Sequence, residues 1–250
     1  MRTDLIASLL VHARRAGKPL VVPDKSAVKT DAVAYRVQDK VYAKLWPGVL
    51  PAAWKVGAPS AKVEPAAAPI PPERVLASPA RVSARALGLI GVEAEVAYRL
   101  GRDLPKRTKV WSEEEVADAV EEVVVTIELC ATRLAKWKEA PGGWKLADFQ
   151  SAGALVVGSG TRSWRTIAWE RQAVEFRIGE RVTQAVGAHP LGDPLRLLPW
   201  LAAHCAERTG GLRKGDLVTT GAWTGLEAAK PGDEARAIFP GIGEARVKIE

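Results

Sequence analysis

The chain has 250 residues, 47% of them hydrophobic and 26% charged, with a formal net charge of +7. That is enough apolar material for a full core, as one large domain or as a domain carrying a smaller helical cap. Its apolar runs fall far short of the ~20 residues a membrane span requires, and its basic residues alternate with acidic ones from Arg2 to Lys248 instead of clustering as a phosphate-binding face would, which argues against a membrane protein and a nucleic-acid binder.

A basic surface of this kind attracts small anionic substrates. Asp4 interrupts the N-terminal apolar stretch and no small-residue cleavage site follows it, so the expected location is the cytoplasm. Cys130 and Cys205 lack metal-finger or CxxC spacing and are expected to be buried free thiols.

In chain order, residues 4–16 place Leu5, Ile6, Leu9, Leu10 and Ala13 on one helical stripe, ended by Gly17 and Pro19. A second helix is predicted from Asp31 to Leu45, capped by Thr30, with Val33, Val37, Val41 and Leu45 repeating every four residues. Together they would form an N-terminal cap region, residues 1–57. The Pro- and Ala-dense segment from Ala58 to Ala80 reads as an extended mobile loop, residues 58–84 overall, leading into a core from residue 85 to 250.

The stretch GVEAEVAYRL is the informative one. In a helix Glu93 and Glu95 would diverge, whereas in a strand they share a face and Val92, Ala94 and Val96 take the other. Two like charges on one face repel unless a cation or a proton lies between them. SEEEVADAVEEV, residues 112–123, reads as a helix opened by a Ser112–Glu115 capping box. The β-branched run VVVTIELCATRL then reads as a strand with Thr126, Glu128 and Cys130 on one face.

Ala154 to Gly160 is a buried strand entering a glycine turn, and AVEFRIGERVTQAVG is a hairpin turning near Ile178 and Gly179. Asp193 and Pro194 open a helix that Gly210 closes, with Pro199 predicting a kink or a later start. Short strands and glycine turns fill the remainder. Helices early and in the middle, many strands after residue 85 and no βαβ alternation give an α+β fold with a β-rich core.

Three strand-borne carboxylates, Glu93, Glu95 and Glu128, with no histidine at ligand spacing describe a hard-oxygen site suited to Mg²⁺ or Mn²⁺. Taken with AAWKVGAPS, ADFQSAGALVVGSG, GAHPLGDPLRLLPWLAAH and LRKGDLVTTGAWTG, these blocks occur in the order and approximate spacing of a known family. The sequence resembles the 2-keto-4-pentenoate hydratase and 4-oxalocrotonate decarboxylase family within the fumarylacetoacetate hydrolase superfamily, over nearly its whole length.

The resemblance implies a mixed β-roll core with an N-terminal helical region, a homo-oligomer, and Mg²⁺ or Mn²⁺ on Glu93, Glu95 and Glu128. It implies that Lys55 reaches the substrate and that Ser159 and Thr224 orient a carboxylate or water; His189 is read as a packed histidine. The substrates it implies are 2-oxo or 2-hydroxydienoic acids of aromatic catabolism, handled through a dienolate. Water adds to that chain in a hydratase; in a decarboxylase, hydrolase or tautomerase the same electrons are used otherwise.

Two departures from the family pattern stand on the substrate side. No aspartate occurs between Asp39 and Asp103, where hydratases carry an acid thought to move a proton, and the family's Asp-Asn is Asp148-Phe149 here. These departures keep open a reading as a non-catalytic relative that retains the fold.

Overall fold

The structure is a computed structural model and describes residues 3–250. Two sheets and a helical layer make up the architecture. The large sheet contains β1 (Ala53–Gly57), β2 (Ala66–Ile70), β3 (Val75–Ala77), β5 (Leu89–Leu100), β7 (Val120–Ala131), β8 (Ala152–Thr161) and β12 (Leu217–Thr219). Its strand order is β2-β1-β12-β5-β7-β8-β3. The second sheet, in the order β10-β9-β13-β14-β4, is built from β4 (Ala80–Val82), β9 (Ala173–Ile178), β10 (Arg181–Val186), β13 (Glu234–Phe239) and β14 (Gly243–Ile249). A two-residue pair, β6 (Leu104–Pro105) with β11 (Gly211–Leu212), stands apart.

Alternation along the long strands sorts their side chains into two cores. Val92, Ala94 and Val96 of β5 face the second sheet, where Phe176, Ala237, Phe239 and Val247 complete the inter-sheet core. On the opposite face Ala97 of β5 and Val124 of β7 pack toward the helices α1 (Thr3–Ala16) and α2 (Asp31–Leu45). Where Gly158 of β8 passes β14, an added Cβ would lie 1.9 Å from the Glu244 carbonyl oxygen, so the two sheets touch there backbone to backbone.

Both N-terminal helices form where the spacing places them, and the Thr30 hydroxyl accepts from Val33 N. Their buried stripes are rotated from the expected ones: α1 buries Ile6, Ala7, Leu10, Val11 and Ala13 and leaves Leu5 52% exposed. On α2 the buried set is Ala34, Val37, Gln38 and Val41. Gln38 is tolerated there because its amide donates to the Leu146 and Ala67 carbonyls.

The segment expected to be a mobile loop is instead structured. It contributes β2, β3 and β4, and β1 and β2 pair antiparallel from Ala53–Ile70 to Gly57–Ala66, so the sheet runs across the 57/58 boundary. Proline is accommodated at these positions because β2 and β3 are edge strands, where Pro69 forfeits no ladder bond to an outer neighbour.

The capping box also forms, with Ser112 N donating to Glu115 Oε2 and Glu115 N to Ser112 Oγ, but the helix it opens, Glu113–Ala117, is one turn long. From Val120 the chain joins β7, since pairing with all of β5 outweighs the helical spacing of Val116, Ala119, Val120 and Val123. The hairpin closes through Gly179 (φ 59°) and Glu180. A 3₁₀ turn, Pro194–Leu197, precedes the helix Leu198–Thr209, so Pro199 sits in a first turn and not in a kink. Among the described residues no helix is long and apolar enough to cross a membrane.

Candidate metal centre

The β5–β7 ladder brings the expected carboxylates together. Glu93 lies directly opposite Glu128 and Glu95 opposite Thr126, on the face of the large sheet toward the helices. Glu128 is fully buried and Glu95 is 1% exposed. Lys55, from β1, crosses to the same point: its Nζ donates to Glu128 Oε1 at 2.6 Å and to the Gln150 carbonyl at 3.2 Å.

Each carboxylate is held differently. The Glu95 Oε2 accepts from Thr219 Oγ1 and, at 2.9 Å, from Gly221 N, which leaves Oε1 without a hydrogen bond. Glu128 spends Oε1 on Lys55, and its Oε2 is buried with no partner. A buried anionic oxygen without a donor is costly unless a cation meets it. One ligand atom each from Glu93, Glu128 and Cys130 lie within 4.8 Å of one another, the geometry of a cation-binding cluster. Glu95 is outside that cluster and adjoins it on the same strand face.

Burial, with the charges of Glu128 and Glu93 next in effect, pushes the Glu95 carboxyl up to about 8 even though Lys55 and Thr219 oppose the shift. Burial also raises Glu128, against the pull of Lys55. For Lys55 burial, the largest single effect, works against the charged form, but Glu128, Cys130, Glu93 and Glu95 together outweigh it and the ammonium is held more firmly than usual. A single lysine therefore faces three carboxylates, and the charge balance leaves room for a divalent cation. The oxygen-rich donor set fits a hard ion; the Cys130 thiol, raised by burial, adds one soft donor.

The remaining expected site residues divide. Thr224 lies near the centre: Trp223 N donates to the Ala94 carbonyl, which lays this segment along β5, and the Thr224 hydroxyl is buried without a partner. Ser159 is not brought in. Leu155 is the residue of β8 opposite Glu128, so Ser159 lies about 13 Å farther along the strand, where its hydroxyl accepts from Glu244 N at 2.9 Å. His189 is packed, as expected, with Nε2 donating to the Thr220 carbonyl and Nδ1 accepting from Leu191 N.

The two acids of the segment before β5 are occupied elsewhere: Glu64 accepts from the Trp200 indole and Glu73 from that of Trp46. Two participants carry little signal in the sequence. Cys130, expected as a buried free thiol, stands with Glu93 and Glu128. Gln150 reaches Lys55 because Phe149, Gln150 and Ser151 all adopt left-handed backbone (φ 59°, 49° and 64°). Asp148 anchors this bend by accepting from Arg133 Nε and Arg133 N.

A family model described as fumarylacetoacetate (FAA) hydrolase C-terminal matches residues 30–250. Over 160 residues the chain is 36% identical to a 2-keto-4-pentenoate hydratase of Paraburkholderia xenovorans (strain LB400), covering 64% of this chain and 58% of that protein. Thus the chain spans little more than half the length of this curated relative. It is 33% identical over 253 residues to the TodF product hydratase of Pseudomonas putida (strain ATCC 700007), covering 95% and 91% of the two chains.

Among solved structures, 4-oxalocrotonate decarboxylase from Pseudomonas putida G7, complexed with magnesium and adipate, superposes with a TM-score of 0.86 at 20% identity, covering 100% of this chain and 99% of that one. That likeness carries the fold. With the α+β architecture of two curled sheets and the match over most of its length, the chain belongs to the fumarylacetoacetate hydrolase family.

Proposed function

We propose that the protein is a metal-dependent lyase of the 2-keto-4-pentenoate hydratase type, acting on 2-hydroxy-2,4-dienoic or 2-oxo acids of aromatic catabolism. The observation that carries this reading is the partnerless buried Oε2 of Glu128 beside Glu93, with one lysine set against three carboxylates. Glu93, Glu95 and Glu128 would hold Mg²⁺ or Mn²⁺. When bound, such an ion supplies the positive charge that polarises a carbonyl and favours its enolate.

The chain's own groups have separable roles. Lys55 keeps an ammonium at the site, positioned by Glu128 and Gln150 to neutralise a substrate carboxylate. Thr224, with its hydroxyl unsatisfied, can donate to the same substrate or to water. Activity in the cytoplasm as a homo-oligomer belongs to the same proposal, by likeness to the family.

Decarboxylation is the second reading, and a specific observation favours it. Loss of CO₂ delivers an electron pair to the enolate without a base to activate water, and Glu64 and Glu73 are both tied to indoles. Incubation with 2-hydroxypenta-2,4-dienoate and Mg²⁺, following loss of the dienol absorbance and identifying the product, tests the main reading. The expected result is metal-dependent formation of 4-hydroxy-2-oxopentanoate that EDTA abolishes. No metal-dependent loss of absorbance would overturn it.

A further inference from the structure

The two cysteines stand in different surroundings. Cys205 is fully buried within the apolar inter-sheet core, whereas Cys130, 3% exposed, belongs to neither of the two apolar cores. A buried thiol that acts as a small hydrophobe packs among apolar side chains. The charged groups that act on Cys130 are Glu128, Lys55, Glu93 and Glu95, the whole of the carboxylate centre and its lysine.

Strand alternation puts the thiol there. Thr126, Glu128 and Cys130 are alternate residues of β7 and share the face that carries the centre. Across the two ladders Cys130 stands opposite Gly91 of β5 and Ala152 of β8, so neither cross-strand neighbour has a polar side chain to occupy the sulfur. One donor atom each from Cys130, Glu93 and Glu128 lie within 4.8 Å of one another. Donors on opposite sides of an ion are separated by about twice the ~2.0–2.3 Å metal–donor distance, which brings these three to the spacing of one coordination sphere.

Glu95 is outside that set, and its Oε2 is committed to Thr219 and Gly221. A cation that meets the partnerless Oε2 of Glu128 therefore has the Cys130 sulfur as close at hand as Glu93. Sulfur adds little for Mg²⁺, which takes oxygen ligands, and adds most for thiophilic ions such as Co²⁺ and Zn²⁺.

We propose that Cys130 is a ligand of the metal centre, and that the centre, besides holding Mg²⁺ or Mn²⁺ through its carboxylates, binds Co²⁺ and Zn²⁺ through sulfur and more tightly. The thiol proton passes to water as the sulfur–metal bond forms. This rests on the proposed metal centre and adds the class of ion it prefers.

Cobalt titration of the metal-free, intact chain, followed by absorption, reads the sulfur–metal bond without any turnover. The expected result is a thiolate-to-cobalt charge-transfer band in the near ultraviolet that saturates with one ion per chain. Cys205→Ala is expected to keep the band and Cys130→Ser to lose it. Because the chain has two cysteines, a band kept by Cys205→Ala belongs to Cys130 even if Cys130→Ser does not fold. In a chelator competition the ratio of Zn²⁺ to Mg²⁺ affinity should fall by roughly tenfold or more in Cys130→Ser, since even the outer partners of a metal ligand are worth that much.

Cobalt bound with its ligand-field bands but without a charge-transfer band would overturn the assignment of Cys130 and leave the carboxylate metal centre standing. A band that survives Cys130→Ser or vanishes in Cys205→Ala, or a Zn²⁺ to Mg²⁺ ratio that Cys130→Ser does not change, would overturn it in the same way. Failure of the chain to take up cobalt, zinc or magnesium at all would overturn the metal centre as well.

Discussion

Glu95→Gln is expected to raise the melting temperature of the metal-free protein at pH 8 and to abolish the stabilisation that Mg²⁺ gives the wild type. The Glu95 carboxyl is pushed up to about 8 in the folded protein, chiefly by burial and then by Glu128 and Glu93, whereas an unfolded chain releases that proton near 4.3. Between those values the folded state holds a proton that the unfolded state does not. The contribution to stability is complete below the unfolded value and is lost as pH rises through about 8.

The amide keeps the shape, retains an acceptor for Thr219 and Gly221, and carries no charge to repel its neighbours. It should therefore flatten the fall in stability between pH 5 and 8. Magnesium affinity should drop more than about 100-fold, because outer partners of a metal ligand alone are worth roughly 10–100-fold. A pH series of thermal melts with and without Mg²⁺ reads both effects. A variant that melts lower than wild type at pH 8, or that Mg²⁺ still stabilises, would contradict the assignment of Glu95.

Lys55→Met should have the opposite effect on the metal-free protein. Lys55 and Glu128 form a 2.6 Å ion pair with side chains 14% and 0% exposed, and removing the cation leaves Glu128 unpaired beside Glu95 and Glu93. Breaking one partner of a buried pair costs about 3–5 kcal/mol, and Mg²⁺ should restore part of that loss by taking over the neutralising role. Turnover is expected to fall by roughly 100–1,000-fold, the range for removing one preorganised charge donor, with metal uptake retained. Unchanged melting temperature together with unchanged kcat would show that Lys55 is a bystander.

Strand alternation makes the carboxylate faces legible in the sequence: the period of two places Glu93 with Glu95, and Glu128 with Cys130. The same reasoning could not say that Glu93 and Glu128 are opposite each other, since register depends on which strand is the neighbour. Lys55 meets Glu128 across 73 residues of sequence, through a β1–β12–β5–β7 order that no local pattern encodes, and only the family resemblance pointed to it.

The misread segments have local causes. Proline and alanine between residues 58 and 84 resemble a loop because edge strands tolerate them, and SEEEVADAVEEV resembles a full helix because its cap is genuine while its second half is claimed by β5. The bend at Phe149, Gln150 and Ser151 was hidden because such residues seldom adopt left-handed backbone; the Arg133–Asp148 pair, fifteen residues apart, is what holds it. Cys130 gives no signal of its own because a buried thiol usually packs as a small hydrophobe.

The central claim is that the carboxylates on the helix-side face of the large sheet grip a hard divalent cation. Crystals soaked in Mn²⁺ and measured for anomalous scattering locate such an ion directly. The account requires one peak per chain within about 2.0–2.6 Å of oxygens from Glu93 and Glu128, displaced by excess Mg²⁺. No peak at saturating Mn²⁺, or a peak only at sites remote from Glu93, Glu95 and Glu128, would contradict it.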